Sequence, residues 1–142
     1  MSNVIDAPAA APPAHTTSPV TLHVCLTCRK ADEPAEADIP RSGRRLHDAL
    51  VAALSAPGAI RIVGVECLSN CKRACTVALS GEGRWTYVYG DLDPDQSVPA
   101  ILDGATRYQA TTDGLVPWRE RPEIFKRGVI ARVPAFPLSE TK

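Results

Sequence analysis

The sequence predicts a single α/β domain in which a strand–helix–strand unit is followed by a β-hairpin and a second helix. Three observations predict it. The run "VTLHVC" alternates Val20, Leu22 and Val24 with Thr21 and His23, a period of two. From Arg41 the apolar residues change to helical spacing, and from Ile60 to Glu66 they become nearly continuous.

The first strand is the run around residues 20–25. After Cys28, "RKADEPAEADIP" carries two prolines and four carboxylates (Asp32, Glu33, Glu36, Asp38) and reads as a solvated loop. "RSGRRLHDALVAALSA" then places Leu46, Ala49, Leu50, Ala53 and Leu54 on one stripe, and Pro57 and Gly58 stop the helix. The second strand, with Ile60, Ile62, Val63 and Val65, is expected to be buried on both faces. Strands joined by such a crossover are normally parallel, with a right-handed connection. Two short runs, Thr76 to Ser80 and Arg84 to Tyr89, flank Gly81, Glu82 and Gly83 as a hairpin. A second helix follows with Val98, Ile101, Leu102, Ala105 and Tyr108 on one face and Pro99 in its first turn. This order is the arrangement of a small thioredoxin-like domain.

The expected organisation is a disordered leader over 1–19, a thioredoxin-like domain over 20–115 and an extended C-terminal arm over 116–142. The leader is rich in Ala and Pro and lacks both a basic start and an apolar block of secretory type. The arm has four prolines from Leu115 onward and packs through Trp118, Ile124 and Phe125. Between Pro117 and Pro134 it carries Arg119, Arg121, Lys126, Arg127 and Arg132 against Glu120 and Glu123.

At 142 residues the chain is long enough for one core, and its 16 basic and 16 acidic residues balance. That balance argues against nucleic acid or an anionic membrane as partner and for a specific local site. No apolar run is long enough to span a bilayer, and the protein is expected to be cytoplasmic. In a reducing compartment, five clustered cysteines point to metal ligation or thiol chemistry rather than a disulfide scaffold.

Those cysteines are Cys25 and Cys28 in "CLTC", and Cys67, Cys71 and Cys75 in "CLSNCKRAC". Parallel strands end on one edge of the sheet, so the crossover brings the two groups together at the edge where open α/β sheets carry their sites. Thiolates are soft ligands for zinc, copper(I) or iron–sulfur clusters, and four suffice for a zinc ion or a two-iron, two-sulfide cluster. A dithiol pair at Cys25 and Cys28 is the competing reading, but no helix directly follows Cys28 to lower its pKa. Arg29, Lys30, Lys72 and Arg73 flank the loops as steering charges or as ordinary solvated ones. His15, His23 and His47 have no ligand spacing, and no hydrolytic constellation is present.

"VECLSNCKRACTVALSGEGRWTYVYGDLDPD", with the preceding strand–helix–strand, resembles the second half of thioredoxin-like two-iron ferredoxins. Residues 20–136, with "CLTCRK", "CLSNCKRAC" and "PWRERPEIFKRGVIARVP", also resemble a bacterial family of unassigned function labelled as predicted metal-binding proteins and often encoded near cobalamin-biosynthesis genes. The resemblance implies a 2Fe-2S cluster on Cys25, Cys28, Cys67 and Cys71, with Cys75 beside it or an alternate ligand. It implies an electron carrier or redox subunit more than an enzyme, with a redox partner protein, cobalamin metabolism as its setting, and a homodimer as one assembly. Two departures leave Cys28 and Cys75 as rivals for the fourth position. The first hook is shorter than in those ferredoxins, and Cys75 stands where they tend to have proline. A zinc-binding interaction module, a metal-delivery protein and a thiol-disulfide oxidoreductase remain the alternatives.

Overall fold

The computed structural model describes residues 18–30, 40–54 and 59–135. The leader up to residue 17, the acidic loop 31–39, the Pro57–Gly58 stop and the last seven residues lie outside them.

Five strands form one sheet in the order β2-β1-β3-β4-β5. They are β1 (Val20–Cys25), β2 (Ile60–Val65), β3 (Val77–Gly81), β4 (Thr86–Tyr89) and β5 (Val129–Val133). β1 and β2 are parallel, from Val20 opposite Ile60 to Cys25 opposite Val65, and the other pairings are antiparallel. The crossover helix α1 spans Ser42–Ala53, and α2 spans Val98–Gln109 with a proline in its first turn. A short helix α3, Glu123–Arg127, precedes β5.

Alternation decides which side chains are buried. Val20, Leu22 and Val24 of β1, Val77 and Leu79 of β3, and Tyr87 and Tyr89 of β4 face Leu46 and Leu50 of α1 and Ile101, Ala105 and Tyr108 of α2 in one cluster. Each fully buried leucine contributes about 1.5–3 kcal/mol of transfer free energy. The opposite face, with Thr21, His23, Arg61, Val63, Ser80 and Thr86, stays half-buried or exposed. His23 sits there with its Nε2 3.0 Å from the Ser80 hydroxyl, a packing role. Arg84 is buried, yet its guanidinium donates to the carbonyls of Ser18, Gln109 and Thr111, tying the chain entry to the end of α2.

Two expectations change. β2 is buried on one face rather than both: Ile60 and Ile62 join the core under the helices, while Arg61 and Val63 on the other face are exposed, and among the described residues β2 also lies at the edge of the sheet beside β1. The described part of the C-terminal segment, 116–135, is not extended throughout. It forms a 3-10 turn at Trp118–Glu120, helix α3 and strand β5, which pairs with β4 and covers its edge. Phe125 of α3 stacks on Tyr89 at 3.8 Å, so the expected packing through Phe125 is real, whereas Trp118 is largely exposed. Among the described residues, no helix is long and apolar enough to cross a membrane.

Candidate functional site

Parallel pairing of β1 and β2 sets the site. Both strands end at the same edge, where the Leu26 amide donates to the Val65 carbonyl at 2.8 Å and the Thr27 hydroxyl to the Glu66 carbonyl at 2.7 Å. The Cys25–Cys28 loop therefore lies against the start of the loop that carries Cys67. That second loop contains a 3-10 turn at Cys71–Arg73 before β3 begins.

The five thiols are all free, but their surroundings differ. Cys25 and Cys28 are each 1% exposed and pack with Ala74 and Leu68 in a small cluster apart from the main core. Cys67 and Cys71 are exposed on their loop. Cys75 is fully buried among the main-core residues, and its amide and carbonyl both bond Leu92. Among the described residues, no three His, Cys, Asp or Glu side chains are gathered closely enough to hold a metal ion. The structure thus joins Cys25 to Cys28, puts the Cys67–Cys71 loop beside them, and places Cys75 elsewhere.

Donors are aimed at the sulfurs. The Ser69 amide lies 3.2 Å from Cys67 Sγ, with Ser69 itself in the left-handed region at φ 58°. Burial raises the Cys25 thiol, but the Cys28 thiol, the Leu68 amide and Thr27 hydrogen-bond to its sulfur and carry it below the ordinary thiol value. The same burial, with Cys25 beside it, pushes Cys28 up to about 12, although the Thr76 hydroxyl and amide offset part of the rise. One proton is thus held between the two sulfurs more firmly than the other. A soft-thiol set with amide donors directed at it suits a thiolate-bound metal or cluster.

Although α1 begins 14 residues after Cys28, it packs against the "CLTC" loop. After the intervening segment, α1 returns so that its first turn grips this loop. The Gly43 amide donates to the Cys28 carbonyl at 3.0 Å, Arg41 to the Thr27 carbonyl at 3.0 Å, and the Lys30 amide to Ser42 Oγ at 3.4 Å. Sequence adjacency concealed this, because the helix arrives by tertiary folding rather than by following Cys28 directly.

Two further residues were missed. Thr76, fully buried, accepts from the Asn70 amide group at 3.0 Å as well as contacting Cys28, and so links the end of one cysteine loop to the other. Lys30, read from sequence as either a steering charge or an ordinary solvated one, donates from Nζ to the carbonyls of Ala74 at 3.0 Å and Leu92 at 3.3 Å. It staples the Cys25–Cys28 loop to the segment around Cys75. Arg73 is paired with Asp91, which removes it from the set of steering charges.

Two predictions arise here. Lys30→Met keeps the stem but loses both charge-assisted bonds, and should cost about 2 kcal/mol. Urea unfolding of the metal-free protein checks this, and an unchanged midpoint contradicts the staple. The second concerns pH. Cys28 has a folded pKa near 12 against an unfolded value of 9.0, so the unfolded chain loses its proton first as pH rises through that window. Stability of the metal-free protein should therefore fall steadily from about pH 9 upward. Cys25, held below the ordinary value, acts in the opposite sense and only below that range. Unfolding midpoints between about pH 9 and pH 10 measure it, below the range where the Tyr89 and Tyr108 hydroxyls, also raised by burial, add a fall of the same sign. A profile flat in that window, or one whose fall there survives Cys28→Ala, contradicts the assignment.

The fold and site define a small α/β domain of the thioredoxin-like class with four of its five thiols at the end of β1 and on the loops that follow β1 and β2. Two solved structures of a thioredoxin-like [2Fe-2S] ferredoxin from Aquifex aeolicus are similar in fold. One superposes with a TM-score of 0.53 at 18% identity over 82% of this chain and 94% of that one. The other, the wild-type form, gives 0.50 at 16% identity over 81% and 99%. The chain belongs to the family described as protein of unknown function (DUF1636), which it matches over residues 22–135. No curated protein matches it.

Proposed function

We propose that the protein is a ferredoxin-like electron carrier or redox subunit that binds a two-iron, two-sulfide cluster through Cys25, Cys28, Cys67 and Cys71. The observation that carries this reading is the meeting of the two cysteine loops at the ends of parallel β1 and β2, with the Leu68, Ser69 and Thr76 amides directed at sulfur. The likeness in fold to a ferredoxin that holds such a cluster supports it.

In this reading Cys25 and Cys28 form the inner, water-excluded half of the ligand set, and Cys67 and Cys71 close it from the exposed loop. The amide donors stabilise thiolate charge and raise the potential; Lys30 fixes the inner loop. A bound cluster supplies one-electron transfer. Cys75, buried in the core, packs rather than ligates. A redox partner serving cobalamin metabolism belongs to the same proposal and rests on the motif resemblance. Electron paramagnetic resonance of the dithionite-reduced protein tests it. A half-integer-spin signal from one coupled ferrous–ferric pair is expected; a silent spectrum from protein that retains zinc contradicts it.

A second reading, thiol–disulfide exchange at Cys25 and Cys28, is favoured by the paired sulfurs, the adjacent first turn of α1 and the unequal thiols. Against it, both thiols are 1% exposed, and exchange requires an attacking sulfur that a partner's disulfide can reach. Turnover of an insulin disulfide that depends on Cys25 and Cys28 alone would favour this second reading.

A further inference from the structure

We propose that the face around Trp118 is a docking surface for an acidic protein. Trp118 is 58% exposed and is the one aromatic among the large exposed apolar side chains of the described residues. It is not a bare ring. The Arg121 guanidinium lies 5.4 Å from its centroid and 5.5 Å from that of Tyr87, and the Lys126 ammonium lies 5.8 Å from Trp118. Arg132, opposite Tyr87 in the β4–β5 register, sits 4.8 Å over Trp85. The β4–β5 end of the sheet thus carries a cation–aromatic group of Tyr87, Arg121, Trp118 and Lys126, with a second pair, Arg132 on Trp85, next to it in the strand register.

These cations make no ion pair. Among the described residues, Arg121, Lys126 and Arg132 are without a carboxylate partner, while the neighbouring Glu123 is taken by Arg127 at 3.1 Å. In a chain of zero formal charge, that leaves a local positive field on one face. The geometry is also fixed in advance, since Arg121 Nε donates to the Val116 carbonyl at 2.9 Å and the rings hold the cationic heads. Ordered cations lose less side-chain entropy on binding, and Trp and Arg are among the residue types enriched at interface hot spots.

Edge protection does not account for Trp118. Tyr87, Tyr89 and Phe125 already cover that end of the core, and β5 covers the edge of β4. The occupant is argued from charge. Glu120 lies in the same 3-10 turn as Trp118, and Glu123 one turn further on, so the cations are interrupted by carboxylates. A mixed-sign rim suits a protein surface, whereas a phosphate backbone favours an unbroken positive track. This surface stands whether or not the cysteines hold a cluster, and it is tested on metal-free, full-length protein.

The probe is a fluorescein-labelled synthetic peptide rich in Glu and Leu, followed by anisotropy at low and at physiological salt. Binding that weakens with salt is expected. Arg121→Gln/Lys126→Gln and Trp118→Ala should each bind about tenfold more weakly, while Arg61→Gln, on the opposite edge strand, binds as wild type. Circular dichroism checks folding, and Lys126→Gln alone carries the test if the other variants do not fold. Absent binding by wild type, equal binding by the Trp118-face variants, or tighter binding of a single-stranded RNA or anionic vesicles overturns the proposal.

Discussion

Gly43→Ala should destabilise the protein by about 3 kcal/mol and displace the loop that carries Cys25 and Cys28. A Cβ at residue 43 would overlap the Cys25 carbonyl oxygen and stand 3.2 Å from the Cys28 nitrogen. Those atoms are backbone, so no side chain can rotate away to make room. Either α1 moves off β1, or the Gly43 amide loses its bond to the Cys28 carbonyl. A thermal or urea midpoint measures the first effect, and the rate at which Ellman's reagent modifies the 1%-exposed thiols measures the second. Both should change together. A variant with wild-type midpoint and slow thiol modification would contradict the close approach of α1 to the site.

Replacing single cysteines should divide them sharply. Cys25→Ser, Cys28→Ser, Cys67→Ser and Cys71→Ser are each expected to lose most of the cluster, because each removes a ligand that the remaining residues do not replace. Cys75→Ala should keep it and cost only about 1 kcal/mol, as a small cavity in the main core. Visible absorbance per protein, read beside the unfolding midpoint, separates the two effects. Cys75→Ala that is colourless while Cys28→Ser retains its bands would reverse the assignment of the fourth ligand.

Much of this architecture is legible from the chain because it depends on local periodicity. The alternation of Val20, Leu22 and Val24, the stripe through Leu46 and Leu50, and the face of Ile101, Ala105 and Tyr108 each specify one buried side. The crossover rule then brings the cysteine loops to one edge without any knowledge of packing. β5 and α3 escaped because each is only five residues long and lies among prolines, too short to show a period. Whether β2 is covered on one face or both depends on what packs against the sheet, which its own apolar run does not encode.

The site was legible to the level of which loops meet, and less so beyond that. The place of Cys75 could have been found: extending the alternation of β3 backward puts it in the row of Val77 and Leu79, facing the core. The grip of α1 on the Cys25–Cys28 loop and the reach of Lys30 to Ala74 and Leu92 depend on long-range contacts between loops. Nothing in local spacing announces such contacts. Gly43 carried a weak sign, a glycine inside an otherwise good helix where close backbone approach is one physical reason for it.

The central claim, that these thiols bind a two-iron, two-sulfide cluster, is tested most directly by iron, zinc and acid-labile sulfide analysis of anaerobically purified protein. About two irons and two sulfides per chain are predicted. Stoichiometric zinc with no sulfide would contradict the claim and leave a zinc-binding module in its place.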